Sequence, residues 1–186
     1  YIDGQNPDRP TDKDISLERT SHLLKRLDTG AESGYEDFKQ NEESSRNKPV
    51  LEMSEITQRI LRSINYETVI QRRNNNFMHL HNKLQTFNEL TPLIEKSTIH
   101  GPLAYPFLRK KNSTLRDELT ANRIYVAQYW PNIPLWIKDM DMPELYFYKN
   151  LIPLPIDQRY DMNDMDMILK TLRETTSFEN YVSLEF

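Results

Sequence analysis

The stretch Leu151-Ile152-Pro153-Leu154-Pro155-Ile156-Asp157-Gln158-Arg159-Tyr160 constrains this chain more than any other. Its apolar first half reads as a strand that ends in prolines. Its polar second half reads as a short loop, and the run from Met162 reads as a capped amphipathic helix. Loops at strand-to-helix junctions are where folds commonly carry chemistry, so Asp157, Arg159 and Tyr160 are candidates to meet a ligand. The alternative is a buried last strand whose polar tail only turns the corner.

The rest of the chain supplies helices first and strands later. Residues Tyr1 to Asp14 are polar, carry Pro7 and Pro10, and read as an entry linker. Thr11-x-x-Asp14 is a helix-start signal, and Ile15, Leu23, Leu24 and Leu27 form a weak helical stripe up to Gly30. A second start at Ser33-Gly34-Tyr35-Glu36 opens a polar helix through Arg46, apolar only at Tyr35 and Phe38. Such a helix buries little of itself, so its aromatic edge is expected to pack on another domain or chain. Lys48-Pro49 ends it.

Met53, Ile56, Ile60 and Ile64 fall on one face of a short helix. Asn65 suits the cap of a longer one carrying Tyr66, Val69, Ile70, Arg73, Phe77, Leu80, Leu84 and Phe87 at three- and four-residue steps. His79 and His81 on that helix lie two residues apart, hence on different faces, and do not form a metal pair. Leu103 to Leu108 reads as a strand, with Pro106 marking an edge or bulge. A helix starting at Asn112 or Ser113 carries Leu115 and Leu119. Ile124 to Tyr129 reads as a second strand stopped by Trp130-Pro131, and Asp141 and Pro143 open a short helix before Leu151. The expected fold is α+β: a small, mainly antiparallel sheet of about three strands with helices on one face, after a helical lead-in. The expected division is a polar lead-in over 1–52 and a folded domain over 53–186.

Composition removes several function classes. With 24 basic and 28 acidic side chains there is no positive excess for nucleic acid, and Arg72-Arg73 and Arg109-Lys110-Lys111 are too short to supply one. The absence of cysteine excludes disulfides, thiolate zinc sites and a cysteine nucleophile, and it fits a reducing, cytoplasmic setting. No apolar run approaches the ~18 residues of a membrane span, and no signal peptide opens the chain, so a soluble protein without membrane partners is expected. The four glycines form no phosphate-cradling loop. A start at Tyr1 rather than Met reads as a piece of something longer.

No local motif builds a catalytic constellation. Asp139, Asp141, Asp157, Asp161, Asp164 and Asp166 would suit a hard cation, but helix capping explains several of them better, so no metal is expected. The polar groups best placed for a ligand stand at strand ends. These are Tyr105, Gln128, Tyr129 and Trp130 from the first two strands, with Asp157, Arg159 and Tyr160 from the third. Arg159 beside an aromatic ring suits an anion or carboxylate clamp, and its alternative is a structural pairing with Asp157 or Asp161.

The order of these motifs carries a resemblance. Tyr105-Pro106 in a strand, Leu115-Arg116-x-x-Leu119 in a helix, Tyr129-Trp130-Pro131, then Leu151 to Asp157 before an Asp-Met helix together resemble a known domain. It is the C-terminal small domain of fold-type-I pyridoxal-phosphate aminotransferases, nearest the DegT/StrS sugar aminotransferases. Met53-Ser54-Glu55-Ile56 and the Arg72-Arg73-x-x-x-Phe77 helix resemble that family's segment after its lysine-bearing strand. The likeness runs roughly from Met53 to Leu172.

It implies a large N-terminal domain, absent from these residues, that holds pyridoxal phosphate and its lysine. It also implies a homodimer with the active site at the subunit interface and a small-molecule keto substrate of the nucleotide-sugar kind. No transamination is expected of this stretch alone, and no catalytic residue is assigned within it. The likeness offers Tyr105, Tyr129, Trp130, Asp157, Arg159 and Tyr160 as substrate-side candidates. In the family an Asn-Tyr-Arg triplet lies just before Met-Ser-Glu, and its asparagine reaches the neighbouring subunit's cofactor phosphate. Here those positions hold Val50, Leu51 and Glu52, and the Ser33–Arg46 helix is longer than the family's at that place. A catalytically inactive protein of the same fold, serving binding or scaffolding, is the other reading.

Overall fold

The computed structural model describes residues 19–30, 32–45, 49, 51–110, 114–139 and 141–175. The entry linker, the start signal at Thr11 to Asp14, Ile15, Val50 and the helix start at Asn112 or Ser113 lie outside them. The chain divides into two compact units between Ile64 and Asn65.

The first unit holds three helices, α1 (Ser21–Thr29), α2 (Tyr35–Ser45) and α3 (Glu55–Ser63). None of them buries a residue fully. Helices α1 and α2 meet through polar and aromatic groups. Lys25 pairs with Asp37 at 2.6 Å, the His22 and Phe38 rings lie 5.6 Å apart, and Asn41 donates to the Arg19 carbonyl at 3.3 Å. Gly34 permits this approach, because a Cβ there would overlap the His22 carbonyl oxygen and the Arg26 side chain. The leucines of α1, Leu23, Leu24 and Leu27, are left exposed. Helix α3 is capped by Ser54, whose hydroxyl accepts the Thr57 N–H at 3.2 Å, and it leaves Ile56 and Ile60 about half exposed.

The second unit carries the core. Helix α4 (Tyr66–Leu84) starts at Asn65, whose side chain accepts the Thr68 N–H at 3.1 Å. Two short 3₁₀ turns, Thr91–Leu93 and Lys96–Thr98, lead to strand β1 (Ala104–Leu108). Helices α5 (Leu115–Ala121), α6 (Ile133–Trp136) and α7 (Pro143–Asn150) precede strand β2 (Leu151–Pro155), and α8 (Met162–Glu174) closes the unit. The strands pair antiparallel, with Pro106 opposite Pro153 and Ala104 opposite Pro155. Tyr105, Phe107, Ile152 and Leu154 point to one face, where Phe77, Leu80 and Leu84 of α4, Leu115 and Leu119 of α5, and the Met165–Leu172 stripe of α8 bury them. The α+β class and helices packed on one face of the sheet therefore hold.

The sheet is smaller than expected: among the described residues it has two strands, and Ile124 to Tyr129 joins no ladder. The reason lies in which backbone groups were left to pair. At the end of α5 Arg123 takes a left-handed conformation (φ 61°), Arg123 N–H donates to Thr120 O and Ile124 N–H to Leu119 O, a Schellman closure that uses the first donor of the segment. The β2 edge then has no donor to offer. Leu151 N–H is bonded to the Phe147 carbonyl at the end of α7, and Pro153 and Pro155 have no N–H.

Arg116 occupies the gap. Its guanidinium donates to the Val126 and Ala127 carbonyls at 3.2 and 2.5 Å and to the Leu151 carbonyl at 3.1 Å, joining segment and strand through one planar fork. Asn88 does the same on the outer edge of β1. Its Nδ2 donates to Pro106 O at 2.8 Å and its Oδ1 accepts the Leu108 N–H at 3.0 Å, while Glu89 N–H donates to Leu108 O at 2.9 Å.

Two substitutions check this account. Arg116→Lys keeps the charge and loses the fork, and it should cost about 2 kcal/mol in urea unfolding, since hydrogen bonds from charged donors are worth about 1.5–3 kcal/mol; unchanged stability would sink the bracing role. Gly34→Ala should separate α1 from α2, seen as faster proteolysis within residues 21–45 while the second unit stays resistant.

Candidate functional site

The sequence candidates fall into three places. Tyr105 is fully buried on the core face of β1. Its hydroxyl accepts from Asn88 Nδ2 at 3.1 Å and lies 3.3 Å from His81 Nδ1, so its polar end is engaged inside the protein. Burial raises the phenol's pKa, against the lowering effect of the Asn88 hydrogen bond.

Tyr129 and Trp130 stand on the other face of the sheet. With Leu103, Ala104, Pro106, Leu151 and Pro153 they line an open apolar groove of about 430 Å³. The two rings are tilted against each other with centroids 5.7 Å apart, and Trp130 is 59% exposed. Trp130 adopts φ 53°, a conformation that a bulky side chain adopts only under constraint from its surroundings. Gln128 is exposed beside them. Chemically the groove offers aromatic faces and proline rings, the surfaces that stack on flat or apolar ligand parts.

Asp157, Arg159 and Tyr160 come together at the corner between β2 and α8. Asp157 accepts the Arg159 N–H at 3.0 Å and both arms of its side chain at 2.8 Å. The fork holds the Asp157 carboxyl below its usual range, burial and the more distant Arg73 being the opposing and assisting influences. The same pairing raises Arg159, whose guanidinium also lies 5.6 Å over the Tyr160 ring. The structural pairing with Asp157 is thus the one Arg159 makes. A ligand anion at this corner would compete with Asp157, and the outer face of Arg159, 70% exposed, is where it would approach.

Two α4 residues hold that corner. Asn76, fully buried, directs Nδ2 at the Ile156, Asp157 and Tyr160 carbonyls at 3.1, 3.3 and 3.1 Å. Arg73 donates to Gln158 Oε1 at 2.9 Å and to the Gly101 carbonyl at 3.4 Å. Sequence reasoning passed over Asn76, although its position, four residues before Leu80 and eight before Leu84, sets a polar residue on the buried stripe. Asn88 gave no such signal, since it sits in a polar break.

Most of the remaining acidic residues have partners. Asp161 and Asp164 form the capping box of α8, Asp166 pairs with His79 at 2.7 Å, and Asp139 accepts the Asp141 N–H at 3.1 Å. Among the described residues no group of three or more metal-ligating side chains converges. Toward a cofactor phosphate the segment before α3 is unsuited, since Glu52 is an exposed carboxylate and Leu51 has no polar side-chain atom. No helix among the described residues is long and apolar enough to cross a membrane. No protein-family model, curated protein or solved structure matches the chain.

The lowered Asp157 carboxyl fixes a pH dependence. Its folded value lies below the ordinary 3.8, so its contribution is complete above that value and is lost as pH falls through the depressed one. Asp157→Asn should therefore be less stable than wild type at neutral pH, and the gap should close below pH 3.8 in urea titrations taken at successive pH values. A gap independent of pH would remove the Asp157–Arg159 pair as its source.

Proposed function

We propose that this chain is the C-terminal small domain of a pyridoxal-phosphate-dependent aminotransferase-like protein of the DegT/StrS kind. In this reading the full-length protein is a cytoplasmic homodimer that transfers an amino group to a keto substrate, with nucleotide-linked sugars as the favoured class. The cofactor and its lysine belong to the large domain of the full-length protein. The small domain contributes substrate-side groups, with Arg159, Tyr160, Tyr129 and Trp130 as the residues to test.

One observation supports the reading best. The segments that carry the likeness lie far apart in sequence, yet those of the second unit other than Tyr129-Trp130-Pro131 share one hydrophobic core. Within it the double-arginine helix holds the Asp157–Tyr160 corner through Arg73 and Asn76. A second reading, a binding or scaffolding protein without catalysis, draws on Val50-Leu51-Glu52, which stand where the family has the Asn-Tyr-Arg whose asparagine reaches the cofactor phosphate.

The full-length protein decides between them. Incubated with pyridoxal phosphate and dialysed, it should retain one cofactor per chain by visible absorbance, and it should move the amino group of glutamate to a nucleotide-linked keto sugar. Full-length protein that retains no cofactor would sink the enzyme reading and leave the scaffolding one.

A further inference from the structure

Asn88 has a side chain in which every hydrogen-bonding position is used. Its Oδ1 accepts the Leu90 and Leu108 N–H groups at 3.1 and 3.0 Å. That fixes the amide orientation and leaves Nδ2 to donate to Pro106 O at 2.8 Å and to the Tyr105 hydroxyl at 3.1 Å. Tyr105 oxygen therefore acts as acceptor toward Asn88, and its own proton has His81 Nδ1, 3.3 Å away, as its partner. That order assigns His81 as the acceptor, neutral and with its proton on Nε2. The order of donation runs from the backbone amides of Leu90 and Leu108 through Asn88 and Tyr105 to the imidazole, and all three side chains are at most 4% exposed.

A second proton on His81 breaks this order. Nδ1–H would point at an oxygen that already accepts from Asn88, and the Tyr105 proton would face the apolar side chains around it. Among the described residues, the charged groups on the elements around it supply no counter-charge. Phe77 stacks on the imidazole with centroids 6.0 Å apart, and Lys96, from the second 3₁₀ turn, is a like charge. On α8 Asp166 is taken by His79, and Asp161 and Asp164 by their cap. In the loop Glu89 accepts from Tyr146 and from the Lys110 N–H.

We infer that His81 is a pH-sensitive latch, whose protonation releases Asn88 and so frees residues 88–91 from the outer edge of β1 while the α4–α8 core stays folded. Burial, and then Lys96, lower the imidazole's pKa below its ordinary 6.5. The sign follows: the closed latch is fully favoured above 6.5, and it weakens as pH falls through the window between that value and the depressed one.

Amide hydrogen exchange on the whole chain reads this directly. Between pH 7.5 and 5, after correction for intrinsic exchange, protection of the Leu90 and Leu108 amides should fall by up to about tenfold per pH unit below 6.5, the limit for uptake of one proton. The Gly101 amide, held by Asn74 Oδ1 at 2.8 Å, should keep its protection. In His81→Gln, whose side-chain oxygen still accepts from Tyr105 but does not titrate, the decline should vanish. Should that variant not fold, the wild-type imidazole titration by NMR serves, with His81 titrating below free histidine. The latch is overturned by constant protection at Leu90 and Leu108, by an equal decline at Gly101, by a decline that persists in His81→Gln, or by His81 titrating at or above 6.5.

Discussion

A sheet of two strands leaves half of its backbone polar groups on outer edges, and in this protein those edges are partly covered by other segments. Buried N–H and C=O groups must be paired, so the fold depends on finding partners that are not strands. It finds them in three ways. On β1 the carboxamide of Asn88 copies the donor and acceptor of a peptide unit, bonding Pro106 O and Leu108 N–H as a neighbouring strand would. On β2 the donors are removed, by Pro153 and Pro155, or returned to the preceding helix, by Leu151. The Leu151 acceptor is met by Arg116. The prolines are thus compatible with the sheet because they face outward, and they forbid a third strand on their side.

This closure decides where chemistry can sit. The core face of the sheet is occupied by α4, α5 and α8, which takes Tyr105 out of contact with solvent. The outer face keeps the groove under Tyr129 and Trp130, and the C-terminal end of β2 keeps the corner at Asp157. Both are positioned by hydrogen bonds from neighbouring segments: the groove by the segment that Arg116 ties to Leu151, the corner by Asn76 and Arg73 of the long helix. Groups held this way keep their geometry on binding, which lowers the ordering cost that a ligand would otherwise meet.

Much of this was legible beforehand because it is local. The caps at Asn65 and Asp161, the stripe of α4, the proline start of α7 and the strands at Ala104 and Leu151 each follow from residues within a few positions of one another. The pairing of Arg159 with Asp157 is also local, and it stood among the readings of the sequence. What was illegible is long-range. Ile124 to Tyr129 has the β-branched and aromatic make-up of a strand, and only the partner edge, which starts at Leu151, denies it a ladder. Nothing near Asn88 signals that it will meet β1, or that Arg116, one of many exposed-looking cations, will bond three carbonyls.

The closed edges also limit how the outer face can recognise anything. A peptide that adds itself to a sheet needs alternating free donors and acceptors along the edge strand. Along β2 Leu151 N–H is spent, and Pro153 and Pro155 lack the group, so strand addition there has no donors to register against. Along β1 Asn88 and Glu89 already hold the Pro106 and Leu108 positions. Recognition at the groove must therefore run through side chains, chiefly the faces of Tyr129 and Trp130 and the rings of Pro106 and Pro153. A surface of that kind selects by shape and stacking rather than by backbone pattern. It favours a ligand with a planar or ring-like part over an extended chain, and it does so because the prolines that end the sheet also shape the groove.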